Sequence, residues 1–115
     1  MRIAGVFRNA DTVREVPAGG VIFKAGDEGD EMYGVVEGEV EVRTPAGNTV
    51  LIGPDGTFGE MAVIDHSPRS ATATATVDTK LAVINQKMFL FLVHETPMFA
   101  IQVMTSLAER LRARG

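Results

Sequence analysis

The sequence predicts a mainly β fold with flanking helices, and three observations carry that prediction. Short runs of alternating apolar and polar residues recur between about residues 12 and 84, each closed by a corner containing Gly, Pro, Asp or Asn. From Asn85 onward the apolar residues switch to helical spacing. The 115 residues, 45% hydrophobic and 23% charged, suit one globular domain with a real core and are too few for two.

The elements follow in order. Residues 1–10 are expected to form a short helix with Ile3, Val6 and Phe7 on one side. "TVREVPAGG" alternates and then breaks at Pro17-Ala-Gly-Gly, and "VIFKAG" is a second short strand. "DEGD" turns the chain into "EMYGVVEG" and "EVEVRT", strands separated by Gly38, with Val40 and Val42 on one face and Glu39, Glu41 and Arg43 on the other. "PAGN" and "PDG" are turns on either side of a "TVLIG" strand. "GEMAVI" is rich in helix formers and predicts one or two turns, limited by Pro68. "SATATATV" sets Ala71, Ala73 and Ala75 on one face and Thr72, Thr74 and Thr76 on the other, a strand with one face kept small for a close neighbour. "TKLAVI" completes the strands, which together make a sandwich or a barrel. Asn85 is placed to cap a helix over "QKMFLFLVHE". Thr96 and Pro97 open a second helix, with Phe99 or Ala100, Val103, Leu107 and Leu111 on an apolar stripe and Ile101, Met104 and Ala108 beside it.

Composition excludes several function classes. A net charge of −4 disfavours a general nucleic-acid surface, and Arg110, Arg112 and Arg114 read as cations at a helix C-terminus. There is no cysteine, so disulfides, thiolate metal sites and thiol nucleophiles are ruled out. The N-terminus lacks a secretory pattern, and the longest apolar run, Met88–Val93, is far too short to span a bilayer. A soluble, cytoplasmic chain is expected. His66 and His94 are the only histidines, too few for a His-based metal centre, and Ser67 beside His66 is no catalytic pair, so neither a metal nor an enzyme is expected.

One acid and one base stand out. Glu60 and Arg69 lie nine residues apart among small and apolar neighbours, on a bend between two apolar segments. A structural ion pair of Arg69 with Glu60 or Asp65 is one reading. The other is an anion site: guanidinium suits phosphate, a helix start near Gly59 adds free N–H groups, and small residues let the backbone approach. A carboxylate repels phosphate but accepts from a hydroxyl, and one anion beside one vicinal hydroxyl describes a nucleotide ribose-phosphate.

"FGEMAVIDHSPRSATA" closely resembles the phosphate-binding cassette of the cyclic nucleotide-binding domain family, matching at Phe58, Gly59, Glu60, Met61, Ala62, Pro68, Arg69, Ser70, Ala71 and Thr72. Upstream, Gly26, Asp27, Gly29, Asp30, Tyr33, Gly38 and Val40 look like the family's glycine-marked strand pair. The resemblance implies a double-stranded β-helix (jelly-roll) barrel over about 12–84, with a short N-terminal helix and C-terminal helices over about 85–113, as a single domain of residues 1–115. It implies that Arg69 binds the cyclic phosphate and that Glu60 accepts the ribose 2′-hydroxyl. Backbone amides of Gly59, Met61, Ala62, Ser70 and Ala71 are implied to bind ribose and phosphate. Ser70 inclines the choice to cAMP over cGMP. Val35, Val50, Ile52, Met61, Thr72 and Ala73 are candidate pocket walls, with Leu107, Leu111 or the polar alternative Arg110 as the base cap.

The expected activity is that of a sensor with no cofactor beyond its ligand. Nucleotide would tighten the cassette, repack a hinge around Phe89–Val93 and move the C-terminal helix. No helix-turn-helix follows that helix, so DNA is not an expected partner; an unidentified downstream protein is. The competing reading is a protein-interaction module with the same barrel and no nucleotide, and the apolar stripe also offers a route to a homodimer.

Overall fold

The computed structural model describes residues 12–114. The helix expected over residues 1–10 lies outside them. Eight strands form two four-stranded antiparallel sheets. The strands are β1 (Val13–Val16), β2 (Val21–Phe23), β3 (Glu31–Glu37), β4 (Val40–Arg43), β5 (Thr49–Ile52), β6 (Thr57–Phe58), β7 (Thr72–Ala75) and β8 (Thr79–Asn85). The first sheet runs β1-β8-β3-β6 and the second β2-β7-β4-β5. No ladder joins the sheets among the described residues, so the expected jelly-roll barrel takes the form of two facing sheets. β6 was not anticipated: two residues, Thr57 and Phe58, are too short to show a period.

Alternation on the central strands makes two cores. Tyr33 and Val35 of β3, with Leu81 of β8, face the second sheet and meet Val40, Ala73 and Ala75. Met32 of β3, with Ala82 and Ile84 of β8, face the other way onto the helices. Both strands are therefore covered on both faces, which is why "MYGVV" and "LAVI" read as nearly continuous apolar runs. Ala73 and Ala75 are fully buried, so the small face of "TATA" is small because it packs between the sheets.

Three helices complete the fold: α1 (Met61–Ile64), α2 (Gln86–Glu95) and α3 (Pro97–Arg114). Asn85 caps α2, its side chain accepting from the Met88 amide at 2.8 Å. Thr96 and Pro97 turn the chain by 115° into α3. Phe99 and Val103 of α3 are buried against Leu92 and Ile84, and Leu107 extends the same stripe. Phe89 meets Phe99 edge-on at 5.7 Å. Ile101, Met104 and Leu111 lie outside the packed stripe and are exposed. No single helix among the described residues is long and apolar enough to cross a membrane.

Candidate functional site

The segment from β6 through α1 to β7 wraps one end of a cavity of about 340 Å³, a size ordinary for small-ligand sites. Gly59 begins it with φ of +78°, a backbone conformation that side chains disfavour. A Cβ there would also come within 2.8 Å of Arg69 Nη1. Glu60 then leads into α1, whose first turn closes with the Val63 and Ile64 amides donating to Glu60 O at 3.1 and 3.0 Å.

Arg69 is pinned from several sides. Its amide donates to Asp27 O at 2.8 Å, and its carbonyl accepts from the Gly26 amide at 2.7 Å. The residue is 7% exposed. Nη1 donates to Gly59 O at 3.1 Å and Nη2 to Glu31 O at 2.8 Å. The guanidinium lies 4.2 Å from the Phe23 ring centroid and 5.7 Å from that of Tyr33. Gly29 covers it so closely that a Cβ there would fall 2.5 Å from Nη2.

Two of the five guanidinium N–H groups are thus committed to carbonyls, and Nε has no hydrogen-bond partner among the described residues. None of the ion pairs among those residues involves Arg69. The structural pairing of Arg69 with Glu60 or Asp65, one of the two sequence readings, does not form. Asp65 turns to Ser67 instead, accepting from its hydroxyl at 2.5 Å and its amide at 3.0 Å. These bonds hold the Asp65 carboxyl below the ordinary carboxylate range.

Glu60 is 1% exposed. Its Oε1 accepts a hydrogen bond from Arg110 Nη2 of α3. Its Oε2 has no partner among the described residues. The cavity therefore combines a buried guanidinium with unspent donors, a buried carboxylate with an unspent acceptor oxygen, and an apolar wall that includes Val42, Val50, Ile52 and Met61. Such an arrangement can hold an anionic group and a hydroxyl side by side against a flat apolar body. Among the described residues no group of three His, Cys, Asp or Glu side chains could hold a metal.

The family model for the cyclic nucleotide-binding domain matches residues 13–96. The chain belongs to the cyclic nucleotide-binding domain family. It is 46% identical, over 76% of its length, to the cyclic nucleotide-gated potassium channel mll3241 of Mesorhizobium japonicum, and covers 24% of that protein. It is 38% identical, over 86% of its length, to the cyclic AMP receptor protein of Thermus thermophilus, and covers 48% of it. The chain thus spans less than half the length of these curated relatives. Among solved structures it resembles the one described as "A cyclic-GMP-dependent signalling pathway regulates bacterial phytopathogenesis", with a TM-score of 0.80 at 28% identity, covering 96% of this chain and 92% of that one.

Within this cyclic nucleotide-binding domain the fold brings most of the sequence candidates together. Phe58, Gly59, Glu60, Met61 and Ala62 line the cavity on one side, and Arg69, Ser70 and Ala71 on another. Thr72 does not; its hydroxyl accepts from the Ala25 amide at 3.0 Å and ties β7 to the loop after β2. Of the expected walls, Val50, Ile52 and Met61 line the cavity, whereas Val35 and Ala73 are buried between the sheets. Neither Leu107 nor Leu111 reaches it: Leu107 packs on the helical core and Leu111 faces solvent. Arg110, the polar alternative, does reach it.

Sequence reasoning missed three features. Phe23 joins Tyr33 and Phe58 in an aromatic cluster, with ring centroids 5.3–6.1 Å apart, that floors the guanidinium; a lone Phe in a strand gave no sign of this. Thr44, Asn48 and Thr49 of the β4–β5 hairpin add polar groups to the wall. The bond of Arg110 to Glu60 was legible in part, because Arg110 continues the inward stripe Phe99, Val103, Leu107 by three residues.

Proposed function

We propose that this chain is a sensor domain for 3′,5′-cyclic nucleotides, with cAMP preferred to cGMP. The observation that carries this reading is the burial of Arg69 beside a cavity without a carboxylate partner among the described residues. Two neutral carbonyls and an aromatic face do not neutralise a buried cation, and an incoming phosphate monoanion does. Its exocyclic oxygens take the unspent N–H groups of Arg69, with the backbone amides of Gly59, Met61, Ala62, Ser70 and Ala71 as further donors. The ribose 2′-hydroxyl donates to Glu60 Oε2. The base lies against Val50, Ile52 and Met61, below Arg110. Phe58 supports the cassette from beneath, and Thr72 holds it through Ala25 without touching ligand.

Preference for cAMP rests on Ser70, a small hydroxyl residue at the cavity edge. The domain carries out no chemistry and needs no cofactor or metal in this reading. Ligand tightens the cassette, the Phe89–Val93 segment repacks against Phe99, and α3 shifts; the nucleotide acts only through its stronger affinity for the closed arrangement. In this reading the downstream partner is a protein, and the setting is the cytoplasm. Calorimetric titration with cAMP and cGMP tests this. Saturable binding of both, tighter for cAMP, is expected; no heat with either at millimolar ligand overturns the reading.

A second reading is favoured by one observation. Leu90, Phe91, Met98, Ile101, Met104 and Leu111 on α2 and α3 are all about half exposed or more. They suit an interaction surface, including self-association through α3. Light scattering across a concentration series tests it; a monomer at every concentration removes the homodimer.

A further inference from the structure

Phe23 sits in an irregular stretch of strand. A regular strand points successive side chains to opposite faces. The register of β2 against β7 shifts between Val21 and Phe23, and Ile22 and Phe23 both pack toward the core between the sheets. The Phe23 ring is thereby partly buried on the cavity wall, with the Arg69 guanidinium 4.2 Å from its centroid. Tyr33 and Phe58 pack against this ring at centroid distances of 6.1 and 5.9 Å and hold it in place. Its edge also reaches the backbone at Gly59, where an added Cβ would lie 3.4 Å from Phe23 Cε2. The loop that follows β2 bonds to the Arg69 backbone through Gly26 and Asp27, so β2 and its loop grip that residue at both ends.

We propose that Phe23 is a positioning residue for phosphate recognition: its ring holds the Arg69 guanidinium in the cavity by attraction to the cation, without spending an N–H group and without cancelling the charge. The inference rests on the cyclic-nucleotide reading above. A carboxylate in that place would take two parallel N–H groups and neutralise the site before any ligand arrived. The negative face of an aromatic ring does neither. The carbonyls of Gly59 and Glu31 set the direction of the guanidinium by taking one N–H group from each of Nη1 and Nη2, and the ring supplies the attraction that keeps it there. A guanidinium released from the ring is free to seek water at the cavity mouth. Phosphate then binds only the fraction of molecules in which the guanidinium has returned, and the apparent affinity falls by that fraction. A phenylalanine that merely fills space acts differently, because any ring of the same shape serves equally well.

The test replaces Phe23 alone with mono-, di- and trifluorinated phenylalanine, which withdraw electron density from the ring face in steps while nearly preserving its shape. Calorimetric titration of the full chain with cAMP is expected to show affinity falling in the same steps, by roughly 3–30-fold in all, the range of a desolvated cation–ring contact. Flat or rising affinity along the series overturns the proposal, whatever the loss in Phe23→Leu. Thermal unfolding without nucleotide examines the hold on the cation separately. Tm should fall stepwise along the series when Arg69 is present and stay level in an Arg69→Met background. A level series with Arg69, or the same slope in both backgrounds, overturns the cation contact. An unsubstituted chain that binds neither cAMP nor cGMP overturns the cyclic-nucleotide reading, and the phosphate role with it; a slope in Tm that depends on Arg69 then leaves the ring contact standing.

Discussion

Glu60 and Arg69 are the two buried charged side chains among the described residues, and they are not bonded to each other. One is matched by a guanidinium from α3, the other by carbonyls and an aromatic face. Opposite charges lining one cavity, each engaged elsewhere, leave donors and acceptors for a third party.

Replacing Arg69 by Met therefore separates binding from stability. Charge-assisted bonds contribute roughly 1.5–3 kcal/mol each, so losing two should weaken cAMP binding by on the order of 100-fold or more. The nucleotide-free protein should unfold at an unchanged or higher temperature, because a buried cation without a carboxylate gives way to an apolar chain of similar length. Calorimetric titration and thermal melts of the same preparation check both; a sharp drop in Tm would show that Arg69 is mainly structural.

Gly29→Ala offers a subtler test of the same guanidinium. The added methyl would sit 2.5 Å from Nη2 and 2.6 Å from Cζ, so the side chain has to move. Affinity for cAMP is expected to fall about tenfold or more, since loss of one good charged hydrogen bond is of that order. Titration checks this, and Gly26→Ala, where nothing lies within 4 Å of the added Cβ, gauges the effect of a left-handed φ of +91° without a clash.

These two residues also show how far the sequence could be read. Arg69 was visible because a charged residue in a run of Ala, Ser and Thr contradicts its surroundings. Gly29 was visible only as a motif letter, since its role is the space its missing side chain leaves to a residue forty positions later. The strands were legible where one face is wet, as at Val40–Arg43, and the helix start at Asn85 was legible from its cap. β6 was not, because its place is set by pairing with Tyr33 and Gly34 and not by its own pattern. The α3 stripe was read too wide: Phe99, Val103 and Leu107 pack, but Ile101, Met104 and Leu111 find no neighbour to cover them.

Alkaline pH should act through Tyr33. Burial, and then its hydrogen bond to Glu31 at 2.7 Å, push its phenol up to about 12. A raised folded-state value means that the contribution to stability is full below pH about 10 and is lost as pH climbs toward 12. The loss is on the order of 2–3 kcal/mol. Because the chain has a single tyrosine, ultraviolet titration reads this group directly. Urea unfolding at increasing pH should show the decline, and Tyr33→Phe should flatten it; an ordinary phenol titration would contradict the assignment.

The interior between the sheets should resist enlargement. Ala73 is fully buried opposite Val42 in the second sheet. Ala73→Leu is expected to destabilise the fold by roughly 1–3 kcal/mol, the usual penalty for extra methylenes in a packed interior. Ala46→Leu, in the exposed β4–β5 turn, should change stability little. Urea midpoints measure the difference.

β3 and β8 are covered on both faces, and this pairing has a kinetic consequence. Amides of Met32–Val35 and Leu81–Ile84 are shielded by one layer toward the nucleotide side and another toward α2 and α3, so their deuterium uptake should proceed only through whole-domain opening. The cassette and the last turns of α3 lie outside that spine and are joined to each other through Glu60 and Arg110, so their amides are expected to exchange sooner than those of β3 and β8.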